Sequence, residues 1–197
     1  MNRLNEKKNQ ALEGAKAKFE NEKLKKVLSW VFSLSLTVGI AAIVAIVMCQ
    51  SVTMQESSME PTISVGDRFF VNRISYKVGE PERGDIIVFR TNASNEAALH
   101  IRRVIGIPGD TVQIVDGKII INGKTYNEGQ DFPKITNPGL AEDAISLESG
   151  EYFVLGDNRN NSEDSRYGDI GLVNEKYITG KIWFKIYPVK EIGLMEG

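Results

Sequence analysis

The chain has very little of what disulfide and metal chemistry needs. Its 197 residues include one cysteine, Cys49, and one histidine, His100. A lone cysteine excludes an internal disulfide framework and a multi-cysteine metal site. With a single histidine beside it, a zinc centre is not supported either. The chain also lacks a strong field of one sign. A net charge of −2 argues against nucleic acid as the main partner. That total hides a division, because residues 1–26 carry eight basic residues and four glutamates, for +4, and the remainder sums to −6. Composition is otherwise ordinary, with 42% hydrophobic and 25% charged residues, so bulk disorder is not expected.

What is present first is one long apolar run. Residues 27–49, VLSWVFSLSLTVGIAAIVAIVMC, contain no charge. As a helix they would span about 35 Å, enough for a hydrocarbon core of about 30 Å. Lys23, Lys25 and Lys26 stand just before the run, so the positive-inside rule puts residues 1–26 in the cytoplasm and residues 50–197 outside. A cleaved secretory signal has a shorter apolar core and a small-x-small site, which QSVTMQESS lacks. The expectation is an uncleaved single-pass anchor in the cell membrane, with the lipid bilayer as its partner. Residues 1–26 read as its charged flank.

Past the anchor the pattern changes to strands. RFFVNRI (68–74), DIIVFR (85–90), HIRRVIGI (100–107), EYFVLG (151–156) and ITGKIWFKIY (178–187) are rich in β-branched or aromatic residues, and most are bounded by Gly, Pro or Asp. Asp116-Gly117 and Asn122-Gly123 predict two successive tight hairpins. Residues 127–150 form a polar excursion without an assignment, and no repeat is present. The fold class expected is mostly β: an antiparallel sheet domain of residues 50–197 behind one transmembrane helix.

Three polar clusters interrupt this frame. QESSMEPT (55–62) holds adjacent serines next to the anchor. LHIRRVIGIPGD (99–110) places Arg102 and Arg103 on opposite faces of one strand, with His100 on the face of Arg102. GDNRNNSEDSRYG (156–168) is dense in acids and arginines. A calcium-loop reading of it fails, because Arg159 and Ser162 stand where that loop needs Asp or Asn and Gly. NAS (92–94) and NNS (160–162) match the glycosylation tripeptide.

The order of these clusters carries a resemblance. An anchor, then SSMEPT, VGDRFFVNRISY, IRRVIGIPGD and GDNRNNSEDSRYGDIG, resembles the type I signal peptidases, above all the compact Gram-positive bacterial branch. The likeness runs from the anchor to about Trp183. It implies a signal-peptidase-like β domain, no cofactor and no metal. It gives Ser58 the role of nucleophile, with Met59 and Pro61 completing the motif and the Ser58 N–H helping to hold the oxyanion. It implies that the partners are signal peptides of secreted preproteins, with small residues at −1 and −3 of the cleavage site.

The family's base is a lysine in a neutral state, and here that position is Arg102. Arginine stays protonated in proteins. Glu56 stands where relatives often have Ser or Gly, and its carboxylate would oppose a developing oxyanion. His100, two residues before Arg102, is an alternative base, whereas Glu56 is expected to lie too near Ser58 in sequence to reach it. Ser162 is expected to orient the residue at the base position by a hydrogen bond. Asp157, Asp164 and Arg166, with Arg103, are expected to form a charge network around the site.

Two functions from different classes follow. One is a membrane-bound serine endopeptidase that removes signal peptides. The other is a catalytically impaired relative that binds precursors and assists assembly of pilins or surface proteins. Only the first requires Ser58.

Overall fold

The structure, a computed structural model, describes residues 22–42, 49–91, 98–129 and 131–195. The chain divides into two compact units, residues 1–47 and 48–197. The tripeptide at 92–94 lies outside the described residues.

In the first unit, helix α1 (Glu22–Ala42) is long and apolar enough to cross a membrane. Its 21 residues extend about 31 Å at 1.5 Å per residue. The helix begins before Val27, and its described part ends at Ala42. Cys49, expected as the last residue of the apolar span, opens a strand instead. Its register opposite Asn72 decides this.

The second unit is antiparallel β throughout, as its alternating apolar segments require. In chain order the strands are β1 (Cys49–Thr53), β2 (Arg68–Asn72), β3 (Ile86–Arg90), β4 (Leu99–Gly106), β5 (Thr111–Val115) and β6 (Lys118–Ile121). They continue with β7 (Lys124–Thr125), β8 (Ile145–Ser146), β9 (Glu151–Leu155), β10 (Val173–Asn174), β11 (Ile178–Tyr187) and β12 (Gly193–Leu194). A single helical turn, α2 (Ser75–Val78), interrupts them after β2.

Among the described residues the larger sheet runs β1-β2-β11-β3-β4-β9-β10, with β12 added beside β11. The smaller runs β7-β6-β5-β8. The two hairpins of the smaller sheet sit where Asp-Gly and Asn-Gly predict them. Asp116 and Gly117 have φ of 51° and 73°, and Asn122 and Gly123 have 52° and 77°. Positive φ at both central residues is the turn that matches strand twist, and these residue types tolerate it. Residues 127–150, left unassigned in the sequence, contribute a 3-10 turn (Gly139–Glu142) and β8.

Three buried apolar clusters hold the unit together. Met54, Met59, Ile63, Phe69, Val71, Ile86, Val88, Ile101 and Ile182 form the cluster beneath the 55–62 turn. Ile87, Phe89, Val104, Tyr152, Val154 and Val173 form a second. The smaller sheet closes on Ile105, Val112, Ile114, Phe153 and Leu155. Met59 is fully buried, so the residue next to Ser58 is pinned into the core. At about 25 cal/mol per Å² of apolar surface, burying such a side chain contributes about 1.5–3 kcal/mol.

Candidate active site

Strand β4 explains its own adjacent cations. Cross-strand register sets Arg102 opposite Ile87 and Arg103 opposite Ile86, so the two guanidiniums leave opposite faces. Each meets a different partner. Arg102 reaches the 56–58 turn and the carbonyl of Glu163, and Arg103 reaches Asp157.

Ser58 lies in a turn that the chain makes between β1 and β2. Glu60 N–H donates to Ser57 O (3.2 Å) and Ile63 N–H to Met59 O (2.9 Å). From the other side, Asn158 N–H donates to Ser58 O (3.0 Å) and Asn158 Nδ2 to Ser57 O (3.0 Å). Asn161 Nδ2 donates to Ser57 Oγ (3.0 Å). The loop of 156–168 therefore cradles the serine pair through one backbone donor and two side-chain amides. Gly156 makes this approach possible. A Cβ there would lie 2.1 Å from Ser162 Oγ and 2.4 Å from Ser58 O, far inside van der Waals contact.

Arg102, 1% exposed, is bonded on every side. Its Nη1 donates to Ser58 Oγ (2.7 Å) and Ile101 O (2.7 Å), its Nη2 to Glu56 Oε2 (2.9 Å), and its Nε to Glu163 O (2.7 Å). Ser58 Oγ in turn donates to Glu56 Oε2 at 3.3 Å. Nucleophile, guanidinium and carboxylate thus form a closed triangle.

Two expectations are corrected here. Glu56 does reach Ser58: the bend at 56–57 turns its side chain inward, where an extended chain would have carried it away. Ser162 does not orient Arg102. Its Oγ is buried and makes no hydrogen bond, because the longer arginine reaches past it to the carbonyl of Glu163. His100 Nδ1 stands 3.5 Å from Glu56 Oε1, an ion-pair distance without a hydrogen bond. The histidine thus flanks the carboxylate rather than the serine. His100, opposed by partial burial and helped by Arg102, lowers the Glu56 carboxyl from its ordinary 4.5 to about 2.

The expected charge network forms as two separate buried pairs. Arg103 Nε and Nη2 donate to Asp157 Oδ1 (2.9 Å) and Oδ2 (2.8 Å), while Nη1 donates to Gly84 O (2.9 Å). Burial opposes the charge on Arg103, yet the paired Asp157 carboxylate prevails and raises the pKa of Arg103. Arg166 Nε and Nη2 donate to Asp164 Oδ1 and Oδ2, both at 2.8 Å. Asp164 also accepts from Gly156 N–H (3.1 Å), which fixes the glycine that touches Ser58.

Sequence reasoning assigned no role to Arg159, Glu128 or Phe132. Arg159 Nη1 and Nη2 donate to the two carboxylate oxygens of Glu128, both at 2.6 Å, and Nε donates to Gly156 O (3.0 Å). The Phe132 ring lies 4.2 Å from the Arg159 guanidinium carbon and 5.6 Å from that of Arg103. Glu128 and Phe132 sit in the polar excursion, where no local pattern marks them. Asp157-Asn158-Arg159 within one motif was the available signal.

The triangle opens onto a cleft of about 760 Å³ lined in part by Glu56, Ser57, Ser58, Ser162, Glu163 and Tyr167. A second groove of about 520 Å³ runs beside β1 and the start of β4, past Val52, Met54, Glu56, Leu99 and Ile101. A peptide lying along either passes Ser58 or its partner Glu56. A serine hydroxyl in such a cleft, with a cation at 2.7 Å and a carboxylate accepting its proton, is arranged for attack on a carbonyl carbon.

Known proteins share this sequence pattern. The family model described as signal peptidase, peptidase S26, matches residues 27–187. A probable signal peptidase I-2 of Synechocystis sp. is 36% identical over 180 residues, covering 89% of this chain and 78% of its own length. Signal peptidase IB of Staphylococcus aureus strain COL is 32% identical over 182 residues, covering 85% of this chain and 93% of its own. A crystal structure of a signal peptidase I from Enterococcus faecalis V583 is 31% identical, spans 52% of this chain and 97% of that one, and has a TM-score of 0.40.

Proposed function

The chain belongs to the signal peptidase, peptidase S26, family, and from that premise we propose that it is a membrane-bound serine endopeptidase that removes signal peptides from exported preproteins. The observation that carries the reading is the 2.7 Å hydrogen bond from Arg102 Nη1 to Ser58 Oγ at the wall of the cleft. A cation that close stabilises negative charge as it develops on the oxygen.

Ser58 Oγ adds to the scissile carbonyl of the preprotein, the C–N bond breaks, and the acyl-enzyme is hydrolysed by water. The Ser58 N–H supports the oxyanion. Arg102 cannot take the serine proton, since a guanidinium has no acceptor, so its part is electrostatic. Asp157, Asp164, Arg166 and Arg103 support the site through their ion pairs. Helix α1 anchors the protein, with Lys23, Lys25 and Lys26 on the cytoplasmic side and the β unit outside. That placement suits substrates whose own apolar segment is still in the bilayer.

Cleavage of a model preprotein by the full chain in detergent tests this reading. The expected result is cleavage that falls by about 10³-fold or more in Ser58→Ala. Binding of the precursor without cleavage, unchanged in Ser58→Ala, would overturn it in favour of a precursor-holding role in surface-protein or pilus assembly.

A further inference from the structure

We infer that Glu56 is the proton acceptor for Ser58. The inference rests on the serine-peptidase reading above and supplies the base that reading lacks.

Three observations lead to it. Arg102 occupies the position from which a base would act, and it donates all of its hydrogen bonds to Glu163 O, Ile101 O, Glu56 and Ser58. Among the described residues, the acceptor for the Ser58 hydroxyl is Glu56 Oε2 at 3.3 Å. His100, which also stands beside this carboxylate, faces its far oxygen, Glu56 Oε1. At 3.3 Å the contact is longer than a tight O–H···O bond, as general-base contacts commonly are before substrate closes on them.

The step balances with these groups alone. The Ser58 O–H bond breaks, its proton moves to Glu56 Oε2, and the freed electron pair forms the bond from Oγ to the carbonyl carbon. The carbonyl π pair becomes the oxyanion. As the tetrahedral adduct collapses, the C–N bond breaks and the leaving amine takes the proton from Glu56. In the second half Glu56 accepts a proton from water as the resulting hydroxide adds to the acyl carbon and the carbonyl π pair again becomes an oxyanion; as this adduct collapses the C–Oγ bond breaks and Glu56 returns the proton to Ser58 Oγ.

A carboxylate held this far below the usual range is a weak base; Arg102 adds to that depression, yet it also favours the charge that develops on Ser58 Oγ. Its Nη2 is already on Glu56 Oε2 and its Nη1 on Ser58 Oγ. As the proton crosses, the guanidinium stabilises the charge that builds on Oγ before it passes to the carbonyl oxygen. A peptide lying in the cleft also strips water from the 41% exposed Glu56 side chain, and desolvation raises a carboxyl pKa.

The test is the rate of phosphonylation of Ser58 by diisopropyl fluorophosphate, located by mass spectrometry on the full chain in detergent. Glu56→Gln keeps an oxygen for Arg102 but removes the base. It is expected to slow labelling by about 100-fold or more. The wild-type rate is expected to stay level from pH 8 down to about pH 5, with the carboxylate ionised throughout. This second measurement stands even if the variant unfolds. Labelling of Glu56→Gln at the wild-type rate would overturn the inference. So would a rate that falls tenfold per pH unit below about 6.5, as a histidine base requires, or one that climbs tenfold per unit between pH 7 and 9. Wild type that is labelled with the expected profile yet cleaves no preprotein would leave Glu56 as the base and refute only the signal-peptide substrate. Wild type that is not labelled at Ser58 refutes both.

Discussion

Arg103 and Asp157, 54 residues apart, meet in a two-point ion pair of 2.9 and 2.8 Å with both side chains buried. This pair ties the strand that carries Arg102 to the loop that seats Ser58. Removing one partner of such a pair leaves an uncompensated buried charge, which costs about 3–5 kcal/mol. Asp157→Ala is therefore expected to lower the thermal midpoint by about 6–20 °C. Differential scanning calorimetry checks this, and a shift below a few degrees would mean that water replaces the lost partner.

Gly156→Ala is expected to cost activity rather than only stability. The new methyl group would meet both Ser162 Oγ and the carbonyl of Ser58. Ser162 can swing aside, but the Ser58 backbone can move only by carrying the nucleophile with it. A displacement of about 1 Å at the reacting atom costs about 100-fold in rate. Combining Gly156→Ala with Ser162→Gly is expected to restore little, because the backbone contact remains. Cleavage rates of the single and double variants decide the point.

Glu128→Ala removes the only acidic partner that Arg159 has among the described residues, and Arg159 is 2% exposed. The loss is expected to reach about 3 kcal/mol. Phe132→Ala, which removes the ring over the same guanidinium, is expected to cost less, about 1–2 kcal/mol. Urea unfolding of the two variants gives the ranking directly.

Acid is expected to loosen the 56–58 turn over a defined window. The Glu56 carboxyl sits at about 2 in the folded protein, below its ordinary 4.5. A carboxyl depressed by folding stabilises fully above its unfolded value, and that contribution fades as pH falls from about 4.5 toward 2. Glu56 is partly exposed, so solvent screens the effect and keeps it modest. The difference in thermal midpoint between wild type and Glu56→Gln is expected to be present at pH 6 and gone near pH 2.

Most of the β frame was readable because its signals are local. Ile178–Tyr187 forms a strand with the bounds its composition predicts, and both Asx-Gly turns adopt the positive φ that makes such pairs diagnostic. β1 was not readable, since Cys49 reads as the end of the apolar run and the segment becomes a strand only through pairing with Arg68–Asn72. The resemblance singled out Ser58, Arg102 and the ions of Arg103, Asp157, Asp164 and Arg166, and the fold brings Ser58 and Arg102 into contact and pairs the four ions. The contact between Glu56 and Ser58 was not legible, because it depends on a bend two residues long. Nor was the idle Ser162, since sequence order does not show how far past it an arginine reaches. Residues 127–150 resist assignment for a similar reason. Several of their hydrogen bonds run to the distant Asn160 and Arg166, so no period marks them.

The bond from Asn158 N–H to Ser58 O spans a hundred positions of chain, and ribosomes add about 5–20 residues each second. For at least about five seconds of its synthesis, then, every copy carries its serine without the loop that seats it. The reactive hydroxyl is made early, and the loop that holds it in place is made a hundred residues later.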